Sequence, residues 1–252
     1  VGGKVRNHLM KIDNDDIDLC SSLTLDELEK EFEGTDFELK FKNAALGTAK
    51  IIYNGKSFDY ATLRREIYEK GGYRQPESVE FIDSIEEDSK RRDFSINAIY
   101  YNITTGQFFD FCDGIKDIQK RVIRCVKDPY VVFADDGLRI LRMVRIAAEL
   151  NFKISKDTFN AANKNISNLA NISGVSIARE MIRICDSSFV GVCDPKAYLK
   201  AISNLNKLKA WRFFGVKFDK LRPKMVKKEI TKYLGLLIDI IDAEKPASIS
   251  YF

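Results

Sequence analysis

The sequence predicts an α+β protein, in which a mixed α and β N-terminal part is followed by an all-helical remainder. Strand and hairpin patterns recur up to about residue 128, and only helical periodicity continues beyond it. The chain has 252 residues, of which 45% are hydrophobic and 31% charged, so it can bury a substantial core. We expect three units, at residues 1–127, 128–186 and 187–252.

Capping residues and alternation predict the elements of the N-terminal part. They are helices at 5–10 and 23–32, and strands at 12–19, 50–53 and 56–63. The last two strands meet at Asn54-Gly55, a pair typical of two-residue hairpin turns. A capping box at residues 84–87 predicts a helix that carries Arg91, Arg92 and Asp93, and a second hairpin is expected around residues 104–106.

The C-terminal part is predicted to be helical and, near its end, basic. Periodicity favours helices at 134–150, 156–170 and 176–185. From Lys200 to Lys232, eleven Lys or Arg residues stand against two acidic residues, a local excess of nine positive charges. Such an excess is typical of a surface that binds a polyanion, although a solvated helical surface has the same composition.

Cysteine and histidine usage excludes several classes of site. The five cysteines lack CxxC spacing, and His8 is the single histidine, so no zinc site, disulfide framework or histidine-based triad is expected. We expect a reducing compartment, the cytoplasm. No apolar run approaches the ~18 residues of a membrane span. Val1 stands where a strand should precede the glycines, so we expect missing N-terminal residues, which could have included a mitochondrial address.

Asp16-Ile17-Asp18 is the motif with the clearest chemical meaning. Residues two apart on a strand project from the same side, so both carboxylates could reach a Mg²⁺ pair of the kind that clamps a phosphoryl displacement. Upstream, Gly3 allows close approach of a phosphate, and Arg6 can bind a triphosphate bidentately. Taken alone, a pair of acidic residues two apart more often lies on a solvated loop than binds a metal.

Asp59 is a candidate for a third catalytic carboxylate. It alternates away from Phe58 and Tyr60 on a predicted neighbouring strand, so its side chain faces the other side. An ordinary exposed aspartate beside a turn would show the same pattern.

Arg92 and Asp93 form a second candidate pair. Arg92 could hold a phosphate while Asp93 accepts from a ribose hydroxyl, which would select ribonucleotides. The alternative is a charged helix face with local ion pairs worth ~0.3–0.5 kcal/mol each.

Asp136, Arg139, Arg142 and Arg145 recur every three residues on the predicted helix 134–150. Three arginines this close repel one another unless an anion or acids neutralise them. An Asp–Arg pair can also recognise a base, because the carboxylate accepts from an exocyclic amine and the guanidinium donates to a ring nitrogen. Cytosine and adenine offer that pattern, whereas guanine and uracil do not; a surface salt bridge is the alternative.

Taken in order, residues 2–6, 16–18, 91–98 and 136–145 resemble the motifs of the class II tRNA nucleotidyltransferase and bacterial poly(A) polymerase family, within the DNA polymerase β-like superfamily. The resemblance implies a nucleotidyltransferase head with a palm-like mixed sheet, followed by an all-α neck and body. It assigns Asp16 and Asp18 to Mg²⁺, and Gly3, Arg6 and Arg92 to the phosphates and sugar of the incoming nucleotide.

The same resemblance makes Asp136 and Arg139 the protein template for the base, with Arg142 and Arg145 supporting the pocket. It implies attack of an RNA 3′-hydroxyl on the α-phosphate, with tRNA as acceptor and ATP and CTP as substrates. Residues 46–49 resemble a Gly-Thr segment of tRNA-processing members and favour CCA addition. A poly(A) polymerase, an A-only or C-only enzyme, and a catalytically silent RNA-binding protein are the alternatives.

The chain also departs from the family pattern. Asn7 and Asp135 replace an Asp and a Glu, and Phe111 follows Asp110 where the family has proline. Residues 173–177 lack two charges that normally brace the base-reading helix, so we expect a less rigid hold on Asp136 and Arg139.

Overall fold

The computed structural model describes residues 1–12, 17–185 and 197–214 of the chain. It confirms the α+β class. The elements up to residue 123 are α1 (Gly3–Leu9), β1 (Asp18–Ser21), α2 (Leu25–Glu31), β2 (Glu38–Asn43), β3 (Thr48–Tyr53), β4 (Lys56–Thr62), β5 (Arg64–Ile67), β6 (Ser78–Phe81), α3 (Ile85–Lys90), β7 (Ile99–Tyr101), β8 (Phe108–Asp110), α4 (Gly114–Lys120) and β9 (Val122–Ile123). They are followed by α5 (Pro129–Asp135), α6 (Leu138–Glu149), β10 (Lys153–Ile154), α7 (Lys156–Lys164), α8 (Gly174–Cys185) and α9 (Ala197–Lys207).

A four-stranded mixed sheet forms the N-terminal part, with strand order β1-β4-β3-β2. Strands β1 and β4 are parallel, and the other neighbours are antiparallel. The predicted hairpin joins β3 to β4, and both Asn54 (φ 48°) and Gly55 (φ 72°) have the positive φ that its two-residue turn requires. Thr24 and Glu27 form a complete capping box that starts α2.

Two hydrophobic cores hold the described residues together. Under the sheet, Leu25 and Leu28 of α2 pack against Ala49, Ile51 and Tyr60. Because side chains alternate along a strand, the residues between these apolar positions face away from α2.

The larger core is built mainly from helices. It extends from Phe94 and Ile123 through most of α6 to Trp211. This core therefore crosses the expected boundary between residues 127 and 128. Among the helices in the described ranges, none is long and apolar enough to span a membrane.

The largest difference from prediction is a break in the expected helix 134–150. The structure has α5 and α6 instead, with Asp136 between them in an extended conformation (φ −144°, ψ 109°). The backbone N–H of Gly72 donates to the carbonyl of Ala134 (2.7 Å), and the N–H of Gly137 donates to the carbonyl of Gly72 (3.0 Å). The segment at Gly72 therefore takes up a backbone carbonyl before Asp136 and a backbone N–H after it, which a continuous helix would have bonded internally.

Other predictions were wrong in their bounds. Helix α3 ends at Lys90, so Arg91, Arg92 and Asp93 follow the helix rather than lying on it. Strand β1 begins at Asp18 and not at residue 12, and the predicted helix 156–170 ends at Lys164 before a 3-10 turn. Helix α4 and strands β2, β5, β6, β9 and β10 were not predicted, and β10 lies beyond residue 128, where only helices were expected. The basic segment is described only as far as residue 214.

Candidate functional site

The carboxylate of Asp18 lies against the glycine turn that precedes α1. Gly2 has φ +78°, and a Cβ built on it would lie 2.8 Å from Oδ2 of Asp18. The nitrogen of Val1 also donates to the carbonyl of Asp18 (2.9 Å). Two features therefore disfavour a side chain at position 2: the positive φ of the backbone, and the 2.8 Å approach of a Cβ to Oδ2 of Asp18. Gly3 is the first residue of α1, and Asp16 lies outside the described residues.

Asp59 is the partner of Asp18 in the register of the parallel strands β1 and β4. Paired positions on neighbouring strands share a face and are about 4.8 Å apart. Lys50 on β3 is ion-paired to Asp59 (Nζ to Oδ1, 2.8 Å). Carboxylate oxygens are the ligands that hard cations such as Mg²⁺ prefer, although the described residues alone contain no group of three metal-ligating side chains.

Arg6 on α1 is buried and donates hydrogen bonds to neutral amide groups. Asn7 Oδ1 accepts from two nitrogens of Arg6 (3.0 and 2.8 Å), and Asn97 Oδ1 accepts from the third (2.6 Å). Burial lowers the pKa of Arg6 to about 10, and the charges of Arg145 and Arg142 act in the same direction. The charges of Glu149 and Asp93 act in the opposite direction, so Arg6 lies near both the arginines of α6 and the acids that pair with them.

Asp88 is fully buried and organises the arginines that follow α3. Its Oδ1 accepts from Arg91 (2.7 Å), and its Oδ2 accepts from Arg92 (3.0 Å) and from the hydroxyl of Tyr100 (2.5 Å). Burial by itself would raise the pKa of Asp88, but Arg92 and Arg91 hold it below its ordinary value. Arg92 is thereby fixed in place, with its Nε also donating to the Tyr100 hydroxyl (2.9 Å).

Asp93 belongs to a different network, although it is adjacent to Arg92. Its Oδ2 accepts a hydrogen bond from Nε of Arg142 (2.8 Å) and lies 2.6 Å from a terminal nitrogen of the same guanidinium as an ion pair. Its Oδ1 accepts from the backbone N–H of Phe94 (2.8 Å). Burial opposes ionisation of Asp93, yet the Arg142 guanidinium lowers its pKa to about 2. The pair connects α6 to the segment after α3.

Asp136 is buried in the break between α5 and α6. Its Oδ1 accepts from the backbone N–H of Leu138 (2.8 Å), so this carboxylate also caps α6. Burial raises the pKa of Asp136, and the nearby charge of Arg139 opposes the shift.

Arg139 is buried and directed by carbonyl groups rather than by Asp136. It donates to the carbonyls of Arg91 (2.8 Å) and Val132 (3.2 Å). Its guanidinium carbon lies 5.6 Å from the centre of the Tyr68 ring, within the range of a cation–π interaction. Asp136 and Arg139 are thus positioned by separate sets of contacts at the start of α6.

Arg145 is engaged by two carboxylates. Its Nε donates to Glu180 of α8 (2.7 Å), and a terminal nitrogen donates to both oxygens of Glu149 (3.0 and 3.1 Å). Carboxylates thus neutralise Arg142 and Arg145. Glu180 also connects α8 to α6, although residues 173–177 lack the two charges that the family has there. Ser176 in that segment still accepts a hydrogen bond from Arg74 (3.0 Å).

Sequence reasoning missed Asp88, Tyr68 and Glu180 as parts of the site. Asp88 had a detectable signal, because it precedes Arg91 and Arg92 by three and four residues, the spacings at which helical side chains meet. Tyr68 and Glu180 had none, since their arginine partners are far along the chain.

Comparisons with known proteins agree with this architecture. Residues 1–124 match the family model described as the poly A polymerase head domain. A CCA-adding enzyme of Ligilactobacillus salivarius is 37% identical over 185 residues, which cover 73% of this chain and 44% of the relative.

Solved structures show the same similarity. A CCA-adding enzyme of Bacillus stearothermophilus, crystallised with CTP, is 26% identical with a TM-score of 0.67, covering 96% of this chain and 66% of that chain. The Thermotoga maritima CCA-adding enzyme complexed with tRNA is 26% identical with a TM-score of 0.69, covering 97% and 53%.

The chain belongs to the class II tRNA nucleotidyltransferase and bacterial poly(A) polymerase family. Enzymes of this family generally use a divalent metal. The chain spans about half the length of the curated relatives it matches.

Proposed function

We propose that this chain carries the catalytic part of a tRNA nucleotidyltransferase that adds CMP and AMP to tRNA 3′ ends, as CCA addition. The RNA 3′-hydroxyl attacks the α-phosphate of CTP or ATP, and pyrophosphate leaves. The observation that carries the proposal is the position of the Asp18 carboxylate, which lies against the Gly2 turn and beside Asp59 in the sheet. Similarity to CCA-adding enzymes supports tRNA as the acceptor.

Asp16 and Asp18 would hold Mg²⁺, with Asp59 as the third carboxylate. Their hard oxygen ligands fit such an ion. When bound, the metal stabilises charge on the attacking and leaving oxygens of the phosphoryl transfer. Because Gly2 has no side chain, the backbone turn before α1 can lie directly against the Asp18 carboxylate.

Arg6 and Arg92 would bind the triphosphate and sugar next to the Gly3 end of α1. The hydrogen-bond acceptors on Arg6 are neutral amides, so no carboxylate is bonded directly to the guanidinium that would meet the phosphate. Asp88 and Tyr100 fix Arg92 before the nucleotide arrives, which lowers the entropic cost of binding. Asp93 would meet the ribose hydroxyl while Arg142 keeps its carboxylate ionised.

Asp136 and Arg139 would select the base, accepting cytosine and adenine by the hydrogen-bond pattern of an amine beside a ring nitrogen. Their backbone and side chains are already fixed by Gly72, Leu138 and the carbonyl of Arg91. Arg142 and Arg145 support this pocket from α6, through Asp93 and Glu180.

The division of labour along the chain follows from these roles. We propose a catalytic head at 1–127, a base-reading neck at 128–186 and an RNA-binding region at 187–252. A reducing compartment, the cytoplasm, suits the free thiols of Cys20, Cys112 and Cys125. The mitochondrial alternative has no support, since the relatives compared are bacterial.

Nucleotide incorporation tests the proposal directly. Each labelled nucleoside triphosphate is offered with Mg²⁺ to tRNAs that end before, within and after CCA, and to an unrelated RNA. We expect C and then A to be added to the incomplete tRNAs, with termination after CCA. Asp18→Ala should abolish incorporation while leaving the thermal unfolding midpoint close to that of the parent.

The other outcomes identify the alternatives. A long A tail on any RNA indicates a poly(A) polymerase, and addition of C alone or A alone indicates a specialist. Absence of incorporation on every RNA indicates a silent RNA-binding protein.

A further inference from the structure

Four charged residues form one row across the sheet. The strand registers pair Asp18 with Asp59, Asp59 with Lys50, and Lys50 with Lys40. Paired positions on neighbouring strands project to the same face. We call these four residues the charge row; two carboxylates occupy its β1 end and two ammonium groups its β2 end.

The charge row lies on the face of the sheet opposite α2. Lys50 alternates with Ala49 and Ile51, and Asp59 precedes Tyr60; all three apolar side chains belong to the core under α2. The row is therefore on the side where Asp18 approaches Gly2, which is the side of the proposed metal and triphosphate.

Lys50 engages the carboxylate that lies next to Asp18. Its Nζ is 2.8 Å from Oδ1 of Asp59, and the two side chains are 31% and 49% exposed. Lys40, one strand further away, instead contacts Glu38 (2.7 Å). An exposed ion pair of this kind contributes at most about 1 kcal/mol to stability, so stability gives little reason for placing a lysine beside the site.

We propose that Lys50 is a positioning residue that controls how tightly the site binds a divalent cation. Its ammonium group turns the Asp59 carboxylate across the sheet toward β3, away from Asp18, and neutralises it. A cation near Asp18 is then not coordinated by Asp59, and it is repelled by the nearby charge of Lys50. This inference rests on the proposed function, because it places the metal beside Asp18 and Asp59.

Direct metal binding tests the proposal without catalysis. Binding of Mn²⁺ to the full chain, without nucleotide, is measured by electron paramagnetic resonance. Lys50→Met, which keeps an unbranched side chain of similar length and removes its charge, should lower the dissociation constant roughly three- to tenfold. Lys50→Arg keeps the charge and should stay close to the parent value.

Lys42 provides a matched control. It lies on the edge strand β2 and forms an ion pair of the same length with Glu29 (2.8 Å), but that partner belongs to α2 on the opposite side of the sheet. Lys42→Met therefore removes a comparable pair and the same net charge, and it should leave Mn²⁺ binding unchanged. Thermal unfolding of all three variants checks that the sheet is intact.

Equal Mn²⁺ affinity in the parent, Lys50→Met and Lys42→Met would overturn the proposal, as would a Lys50→Arg variant that behaves like Lys50→Met. These two outcomes differ from the result expected if only the proposed function is wrong. A parent protein that binds Mn²⁺ and responds to Lys50→Met but incorporates no nucleotide keeps this inference and removes the enzymatic one.

Discussion

Two nitrogens of Arg142 on α6 contact a single oxygen of Asp93: Nε donates a hydrogen bond at 2.8 Å, and a terminal nitrogen lies 2.6 Å away as an ion pair. Asp93 follows α3, so this pair connects the strand-rich N-terminal part to the helix that carries Arg139. Both residues were expected to contact nucleotide. The structure gives them a structural function as well, because the carboxylate is buried and its charge is stabilised by the guanidinium.

The Asp93–Arg142 pair should make stability depend on pH in the acid range. The folded-state pKa of Asp93 is lowered from 3.8 to about 2, so the folded state is stabilised above the unfolded pKa and loses that stabilisation as the pH falls. The loss is about 1 kcal/mol between about pH 6 and about pH 3, and about 2 kcal/mol in total. Urea unfolding at several pH values measures it.

Asp93→Asn removes the titrating group and should flatten this dependence. Asp83→Asn, at an exposed position, serves as the control and should retain the parent slope. An Asp93→Asn variant that loses stability with pH as steeply as the parent would contradict the assignment.

Gly2→Ala should damage catalysis more than stability. The added Cβ would lie 2.8 Å from Oδ2 of Asp18 and displace that carboxylate, so we expect kcat to fall about 10- to 100-fold. The positive φ adds a destabilisation of about 1 kcal/mol. Incorporation of CMP per folded molecule, with folding followed by circular dichroism, measures both effects.

Gly55→Ala is the matched control for backbone strain. Gly55 has a similar φ, +72°, but a Cβ there has nothing within 4 Å. It should lose similar stability and keep full activity. Equal activity of the two variants would remove the argument for a close approach of Gly2 to Asp18.

Asp88→Asn should be strongly destabilising. Asp88 is fully buried and bonds to two arginines and a tyrosine hydroxyl, and removing one partner of a buried charge network costs about 3 kcal/mol or more. Glu86→Gln on the same helix removes an exposed contact to Lys90 (3.5 Å) and should cost less than about 0.5 kcal/mol. Denaturant midpoints compare the two, and equal values would refute the buried-network assignment.

Arg139→Ala should impair base choice more than nucleotide binding. The guanidinium is held by the carbonyls of Arg91 and Val132, and its loss removes the donor that we propose for the base. We expect misincorporation of GMP and UMP relative to CMP and AMP to rise roughly tenfold, with little change in triphosphate affinity. Arg65→Ala, at an exposed pair with Glu80, is the control; an equal loss for all four nucleotides would contradict the template role.

Local chemistry explains which parts of the fold could be predicted. Asn54-Gly55 and the Thr24–Glu27 capping box depend on neighbouring residues, and both are found where the sequence places them. Strand β2 was missed because its backbone turns at Phe41, a non-glycine residue with φ 52° that gives no turn signal. The register with β3 shifts between Lys40 and Asn43, and such a bulge interrupts the alternation on which strand prediction depends.

The candidate site likewise has some features that the local sequence predicts and others that depend on distant residues. Alternation along one strand predicted that Asp59 faces away from Phe58 and Tyr60, and the register places it beside Asp18. The break at Asp136 and the pairing of Asp93 with Arg142 depend on residues distant in the chain. A single sequence carries no signal for such contacts, so these relationships needed the structure.

The two cores also imply that the chain loses activity in stages. Asp18 is on a sheet supported by a few apolar side chains of α2, β3 and β4, whereas Arg139 and Arg142 are anchored in the larger core. Cooperative units with less buried apolar surface open at lower free energy. Under mild denaturation the sheet would exchange its amide hydrogens first, and the proposed phosphoryl transfer would stop while α6 was still folded.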